Sequence, residues 1–357
     1  MGLNKITSNI KSPYEIFYNR TASFINWNNV SRPFFINDST QVFTEINKQL
    51  IIFYPNSGRW DTIHQEHIFT EKGNVLKEAC VLDGNDIFLS TTKGVRVYNF
   101  EKRSVSLLEG YKNKPELFDY EQFGFFNAKN GNIYIKHLRD SVIHCIDKTK
   151  KEVIKLTNPL IGKDYYLSVT EDNRGNIFYT NHRMNSILKI NTNDLTFSKI
   201  YPDQKSNRLF SNVTSIDCDK NNNLWLFTNG YGIFCLDSKN YEVSEHYTKS
   251  NGLSSNYIIE KLEDRNGNFI IKTSNNIHQI DPISKIITNI SSIIPPPSGI
   301  GFTEMDPDMT YFLINRNGTN MVLHADSMVA PKVKMEIDVF WAEWRNKFLK
   351  IPKNKTI

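Results

Sequence analysis

Nine polar and aromatic side chains between the apolar runs of this sequence could together bind a small polar ligand. Aromatic rings can pack on the apolar C–H face of a sugar, and Arg, Asn and Asp side chains can hydrogen-bond its hydroxyl groups or an acidic substituent. The predicted ligand-binding residues are His137, Arg139, Asp164, Tyr165, His182, Arg183, Arg208, Asn256 and Tyr257. The prediction is one of recognition, with no catalytic residue, no metal site and no cofactor.

The apolar runs that must position these side chains recur along the chain. Segments 168–191, 215–237 and 261–281 share one order: apolar run, aspartate, polar turn with Gly or Asn, apolar run, short turn, apolar run. The repeated aspartates are Asp172, Asp219 and Asp264. An aspartate that heads a turn usually accepts backbone N–H bonds, so we expect this role rather than a ring of carboxylates.

Fainter copies of the same pattern extend the repeat to seven units. These copies occupy residues 39–55, 81–100, 127–147 and 315–329. The first apolar residue after the turn falls at Val42, Ile87, Ile133, Ile177, Leu224, Phe269 and Met321. Successive units therefore lie 44 to 52 residues apart. A unit of this length with β-branched and aromatic runs is typical of a four-stranded antiparallel blade.

A single blade cannot bury both of its faces, whereas blades stacked around an axis can. We therefore predict an all-β fold, a β-propeller with seven four-stranded blades. One repeated strand position is expected to pack between blades, and it is occupied by Trp225, Phe178, Tyr134, Phe88 and Ile270. If the aspartate turns lie on one face of the propeller, the nine predicted ligand-binding residues lie on the opposite face, in the second turns and the inter-blade loops.

Composition narrows the functional classes. Lys and Arg number 43 against 38 acidic residues, and a net charge of +5 gives only a weak attraction for anions, so nucleic acid is not expected as a partner. The four cysteines stand in apolar runs without the spacing of metal ligands, which favours buried strand thiols. No long apolar segment or secretion signal is visible, so no membrane span is expected in this chain.

Segment 251–282, NGLSSNYIIEKLEDRNGNFIIKTSNNIHQIDP, resembles the two-component-regulator propeller repeat. In that repeat Gly-Leu-Ser-Ser-Asn precedes one strand, and Asp-x-x-Gly-Asn-Leu-Trp opens the next. Segment 219–237, DKNNNLWLFTNGYGIFCLD, shares the pattern and includes Leu224, Trp225 and Thr228. Such repeats are typical of the sensor region of Bacteroidetes-type hybrid two-component systems, which detect glycan fragments outside the cytoplasm.

The resemblance implies a non-enzymatic ligand-sensing module, in the periplasm or otherwise extracytoplasmic, that binds an oligosaccharide and signals by repacking of modules. Its partners within a larger system would be a second propeller or a three-Y domain, and a histidine kinase. The domain division that follows is 1–38 for N-terminal strands that could close the ring, 39–330 for the blades, and 331–357 for a closing strand or the start of a three-Y-like module.

The chain shows no second propeller, kinase motif or helix-turn-helix, so it resembles a sensor module rather than a whole signalling system.

Two other functions stay open at this point. A metal-dependent propeller enzyme of the lactonase or streptogramin-lyase kind is one alternative, with His137 and His182 as potential ligands of a divalent ion. A protein-interaction scaffold in a surface or secretion complex is the other.

Overall fold

The computed structural model of the chain consists almost entirely of antiparallel β-sheet. It describes residues 4–6, 14–18, 34–37, 40–54, 59–108, 110–113, 125–136, 141–162, 168–180, 186–201, 212–263, 267–274, 276–290, 301–304, 311–316 and 319–324. Within these ranges the helices are one short turn, α1 (Gln65–Ile68), and two single 3-10 turns at Pro159–Ile161 and Lys249–Asn251. The predicted all-β class is confirmed.

In the described part of the chain, six four-stranded antiparallel sheets follow one another in sequence. Sheet I comprises β3 (Phe34–Asn37), β4 (Thr40–Glu45), β5 (Gln49–Tyr54) and β6 (Arg59–His64). Sheet II comprises β7 (Leu76–Asp83), β8 (Asp86–Thr91), β9 (Gly94–Asn99) and β10 (Ser104–Ser106). Sheet III comprises β11 (Phe125–Asn127), β12 (Ile133–Lys136), β13 (Val142–Asp147) and β14 (Glu152–Thr157).

The next three sheets are built in the same way, each strand pairing with the one before it. Sheet IV comprises β15 (Ser168–Glu171), β16 (Asn176–Thr180), β17 (Ile187–Asn191) and β18 (Phe197–Ile200). Sheet V comprises β19 (Val213–Cys218), β20 (Leu224–Thr228), β21 (Ile233–Leu236) and β22 (Val243–Tyr247). Sheet VI comprises β23 (Ile258–Glu263), β24 (Phe269–Thr273), β25 (Ile277–Asp281) and β26 (Ile286–Asn289).

A further, five-stranded sheet joins strands from the two ends of the chain. Sheet VII comprises β1 (Asn4–Ile6), β2 (Tyr14–Tyr18), β27 (Gly301–Glu304), β28 (Tyr311–Arg316) and β29 (Thr319–His324). Its order is β1-β2-β29-β28-β27, and β2 pairs with β29. The alignment of Met321 with the second strands of the other units was wrong, because Met321 lies on the third consecutive strand, β29. The step of 52 residues before it reflects this misplaced turn.

The core lies between successive sheets, as the repeated aromatic position predicts. Trp225 and Phe178 are completely buried, and Tyr134, Phe88 and Ile270 are at most 1% exposed. Trp225 of sheet V packs edge-on against Phe269 of sheet VI, with ring centroids 5.4 Å apart. Burying a side chain of this size stabilises the fold by roughly 1.5–3 kcal/mol. Each blade is therefore stabilised by packing against its neighbours. This packing and the repeated four-stranded sheets are the features of a β-propeller fold.

The repeated aspartates organise the turn between the first and second strands. Asp172 Oδ1 accepts the backbone N–H groups of Arg174 and Asn176, at 2.9 and 2.8 Å. Asp219 makes the same two bonds to Asn221 and Asn223. The predicted turn role is confirmed for these two residues, whereas Asp264 lies outside the described residues.

Candidate functional site

The first strands of successive sheets lie side by side in the interior of the propeller. β15 contacts β19, β19 contacts β23, and β23 contacts β27. In a propeller the innermost strand of each blade lines the central channel. Side chains at the inward positions of these strands are therefore brought together from different sheets, although they lie more than 40 residues apart in sequence.

A cavity of about 420 Å³ opens between the first strands of sheets III to VI. We call it the inner cavity; its polar lining includes Lys129, Ser168, Thr170, Glu171, Asp217 and Lys261. The lining includes all of β15, the last residues of β19 and β23, and residues of the aspartate turns that follow β15 and β19. The inner cavity thus lies at the aspartate-turn end of the channel.

Hydroxyl groups connect sheets IV and V along one wall of the inner cavity. The Thr170 hydroxyl donates to Asp217 Oδ1 across 3.1 Å. Ser168 Oγ accepts the backbone N–H of Ile216 at 3.0 Å and lies 3.5 Å from Ser215 Oγ. Backbone and side chains of neighbouring blades therefore hydrogen-bond directly at the wall.

A buried ion pair connects sheets V and VI on the same wall. Lys261 Nζ pairs with Asp217 Oδ2, and the two side chains are only 7% and 15% exposed. The ammonium also lies 5.7 Å from the ring centre of Phe227 and 5.6 Å from that of Phe269, within the range of cation–π attraction. Because a buried charge is costly unless paired, this pair holds the two first strands in one relative position.

Glu171 is the most buried carboxylate of the inner-cavity wall after Asp219, at 6% and 5% exposure. Its Oε2 accepts the backbone N–H of Lys129, in the preceding sheet's turn, at 2.6 Å. Burial raises the pKa of the Glu171 carboxyl above its ordinary value, and the Lys129 N–H and ammonium offset part of that rise. Sheet III has Ala128 where the other turns have an aspartate, so Glu171 supplies an acceptor from the next sheet.

Two exposed lysines and one amide form the rim of the inner cavity. Lys129 Nζ donates to Asn173 Oδ1 at 2.8 Å, and Asn173 Nδ2 donates to the Lys220 carbonyl at 3.3 Å. The ammonium groups of Lys129 and Lys220 belong to exposed side chains, where solvent screens their charge. The rim is therefore cationic and wet, whereas the deeper wall is buried.

The cysteines supply no reactive group to this site. All four are free thiols; Cys80, Cys145 and Cys235 are buried, as predicted, and Cys218 is half-buried in the cavity wall. Burial raises the pKa of the Cys218 thiol to about 12, so the thiolate that would act as a nucleophile is scarce at neutral pH.

Seven of the nine predicted ligand-binding residues lie outside the described residues: His137, Arg139, Asp164, Tyr165, His182, Arg183 and Arg208. Asn256 is described, and its Oδ1 accepts the Lys249 N–H at 2.7 Å while its carbonyl accepts the N–H groups of Gly230 and Gly232. Asn256 therefore shapes the loop with both of its oxygens. Tyr257 is 58% exposed and remains a predicted ligand contact.

The inner cavity and Tyr257 lie at opposite ends of the same strand. Tyr257 precedes the first residue of β23, whereas Glu263, which lines the inner cavity, is its last residue. Six residues of strand separate the two ends by about 20 Å. Neither Asn256 nor Tyr257, the two predicted residues that the structure describes, lines the inner cavity. The signal that could have located it is the run of hydroxyls and charges on the first strands, such as Ser168 and Thr170, where a buried strand would be apolar.

No group of three or more His, Cys, Asp or Glu side chains is arranged to hold a metal ion in the described part of the chain. His137 and His182, the potential ligands of the enzyme alternative, lie outside that part. Nor does any described helix have the length and apolarity needed to cross a membrane.

Comparison with known proteins finds solved structures with a similar fold but no related sequence. No protein-family model matches the sequence, and no curated relative does. Among solved structures, YCF48 bound to D1 peptide is 12% identical with a TM-score of 0.64, covering 92% of this chain and 100% of that one. Virginiamycin B lyase from Staphylococcus aureus is 13% identical with a TM-score of 0.57, covering 84% of this chain and 96% of that one.

A third similar structure is the extracellular domain of a hybrid two component system from B. thetaiotaomicron. It is 16% identical with a TM-score of 0.55, and the match covers 82% of this chain but 39% of that one. At these identities the similarity establishes only the fold, which this chain shares with a lyase, a peptide-bound protein and an extracellular domain of a two component system. Function must be argued from the site itself.

Proposed function

We propose that this chain is a non-enzymatic, extracytoplasmic ligand-sensing propeller that binds a glycan fragment in its inner cavity. Sheet VII, built from both ends of the chain, is the seventh blade of the ring in this proposal. The sensor would act with a second propeller or a three-Y domain and with a histidine kinase. The observation that supports it most is a cavity of about 420 Å³ walled by four adjacent sheets.

The chemistry of the inner cavity suits a polyhydroxylated ligand. Hydroxyls of Ser168 and Thr170, the amides of Asn127 and Asn173, and charges of both signs offer closely spaced donors and acceptors. The partly buried Phe126 ring adds an apolar surface for a sugar's C–H face. The buried ion pair and the occupied turn aspartates are already satisfied, which favours binding over catalysis.

Signal transmission would follow from the position of the inner cavity between blades. A ligand there touches the first strands of several sheets at once, so its affinity depends on how those sheets are arranged. A ligand shifts an equilibrium between two arrangements only by the difference in its affinity for them. Contacts spanning Thr170 of sheet IV and Asp217 of sheet V supply a place where such a difference can arise.

Isothermal titration calorimetry against a panel of neutral, acidic and amino oligosaccharides tests the proposal. We expect one class of oligosaccharide to bind. Thr170→Val should weaken that binding roughly three- to tenfold, because the ligand loses a hydrogen bond to the Thr170 hydroxyl. Thr214→Val is the matched control, since the Thr214 hydroxyl donates to the Phe227 carbonyl at the other end of β19, outside the inner cavity. Binding by no member of the panel would refute the proposal.

The predicted loop-face site is tested in the same experiment. Tyr257→Ala removes an exposed ring that lies four strand residues, about 13 Å, from Lys261, the nearest residue of β23 that lines the inner cavity. If the glycan binds in the inner cavity, this substitution leaves its affinity unchanged. A loss with Tyr257→Ala and none with Thr170→Val would place the ligand on the loop face instead.

A further inference from the structure

The charged side chains of the inner cavity differ in how far their charge is already compensated. Four acidic residues line it against three lysines, a local excess of one negative charge in a chain of net charge +5. Asp217 and Lys261 neutralise each other. Both carboxylate oxygens of Asp219 already accept hydrogen bonds, from backbone N–H groups of the turn and from the Trp225 indole. Glu171 is the remaining deeply buried carboxylate in the described lining.

Glu171 has one carboxylate oxygen that no described group satisfies. Its Oε2 accepts the Lys129 N–H, and the described residues offer Oε1 neither a hydrogen bond nor an ion pair. The residue as a whole is 6% exposed, and it lines the inner cavity. This oxygen is open to the cavity and has no described donor, so the position favours a ligand that supplies a charged donor.

The lysines of the cavity do not favour an anion to the same degree. Lys261 is paired with Asp217, and the exposed Lys129 and Lys220 stand at the rim, where solvent weakens their field. Charges at a desolvated wall act more strongly than charges at a wet rim. The interior of the cavity is therefore selective for positive charge.

We propose that the inner cavity recognises a primary ammonium group on its ligand, with Glu171 as the counter-ion. This inference rests on the proposed glycan-sensing function and specifies the ligand as an oligosaccharide with free, non-acetylated amino-sugar units. An ammonium group donates three hydrogen bonds, and the cavity lining offers Glu171 Oε1 together with hydroxyl and amide oxygens as acceptors. The raised pKa of the Glu171 carboxyl agrees with a site whose counter-charge is supplied by the ligand.

Calorimetry with three tetrasaccharides of the same linkage tests the inference. The probes are a glucosamine tetramer, its fully N-acetylated form, and a glucose tetramer that has no nitrogen. We expect the free-amine tetramer to bind at least tenfold more tightly than the other two. Glycine amide serves as a fourth probe, because an ammonium group on a carrier that is not a sugar separates recognition of the amine from recognition of the glycan.

Two substitutions that each remove one negative charge distinguish a specific role of Glu171 from a general effect of net charge. Glu171→Gln keeps an acceptor for the Lys129 N–H but removes the negative charge, and it should abolish the tenfold preference. Glu245→Gln, on the outer strand β22, changes net charge equally at the Glu245–Lys285 ion pair and should keep the preference. Thermal melting of each variant checks that it is folded.

Each outcome decides the ammonium inference, the glycan-sensing proposal, or both. Equal binding of the free-amine and N-acetylated tetramers refutes the ammonium inference and leaves glycan sensing standing. A preference that survives in Glu171→Gln refutes the assignment of Glu171. Binding of glycine amide as tight as that of the glucosamine tetramer refutes the sugar part of the inference. If no oligosaccharide of either panel binds, both proposals fail. The wild-type comparison of tetramers decides the inference even if the Glu171 variant does not fold.

Discussion

The indole Nε1 of Trp225 donates a hydrogen bond of 2.9 Å to Oδ2 of Asp219. This bond joins the two most regular features of the repeat, the aspartate that organises the first turn and the aromatic residue that packs between blades. The same oxygen also accepts the side-chain amide of Asn223 at 3.0 Å, so each carboxylate oxygen has two donors. The turn of sheet V and the packing of sheet V on sheet VI therefore depend on one carboxylate.

Removing that carboxylate should destabilise the protein more than a turn substitution normally does. Asp219→Ala leaves two backbone N–H groups and the Trp225 indole without an acceptor in a buried region, and we expect a loss of about 2–4 kcal/mol in the free energy of unfolding. Urea denaturation followed by tryptophan fluorescence measures it. A loss under about 0.5 kcal/mol would show that the carboxylate does not organise the turn.

The buried pair of Asp217 and Lys261 should behave as a coupled unit. Lys261→Met alone leaves Asp217 charged and unpaired, and such substitutions cost about 3–5 kcal/mol. Adding Asp217→Asn removes the uncompensated charge, so the double variant should be more stable than Lys261→Met. A double-mutant cycle by urea denaturation measures the coupling. Strictly additive effects would contradict a direct contact between the two side chains.

Gly232 is required by close packing, not only by its backbone angle. Its φ is +82°, and a Cβ at this position would meet the Tyr247 carbonyl oxygen of the neighbouring strand. Gly84 also has positive φ, +51°, but open space where a Cβ would stand. We expect Gly84→Ala to cost about 1 kcal/mol and Gly232→Ala to cost about 2 kcal/mol or more beyond that. Equal midpoints of denaturation for the two variants would contradict this packing.

Stability should fall below neutral pH because of His278. Its side chain is 1% exposed, and burial lowers the pKa of the imidazole from its ordinary value of 6.5. Its Nε2 accepts the Ser254 N–H at 3.2 Å and lies 2.8 Å from Ser254 Oγ, an arrangement that requires the neutral ring. Below pH 6.5 the unfolded chain therefore binds a proton that the folded protein resists.

The contribution of His278 is complete above pH 6.5 and is lost progressively as the pH falls toward the folded-state pKa, with a slope of at most about 1.4 kcal/mol per pH unit. Urea denaturation between pH 5 and 8 measures the slope. His278→Gln should reduce it, since the amide does not titrate in this range. An unchanged slope in that variant would assign the pH dependence to other groups.

The sheets were predictable from the sequence because their signals are local. Alternating apolar residues specify the strands, and Gly175, with φ of +77°, allows the tight turn that follows Asp172. The sheet formed by the chain ends was misaligned at Met321, since Asn-Gly precedes a later hairpin there. The inner cavity was missed because Thr170, Asp217 and Lys261 become neighbours only when three sheets are placed around an axis.

A crystal structure of the protein with the tightest-binding oligosaccharide of the calorimetric panel tests the central claim most directly. We predict a sugar in the inner cavity, across the first strands of sheets III to VI, with polar atoms within hydrogen-bond distance of Thr170 and Glu171. A ligand bound beside Tyr257 with the inner cavity unchanged, or no bound ligand at a saturating concentration, would contradict the account.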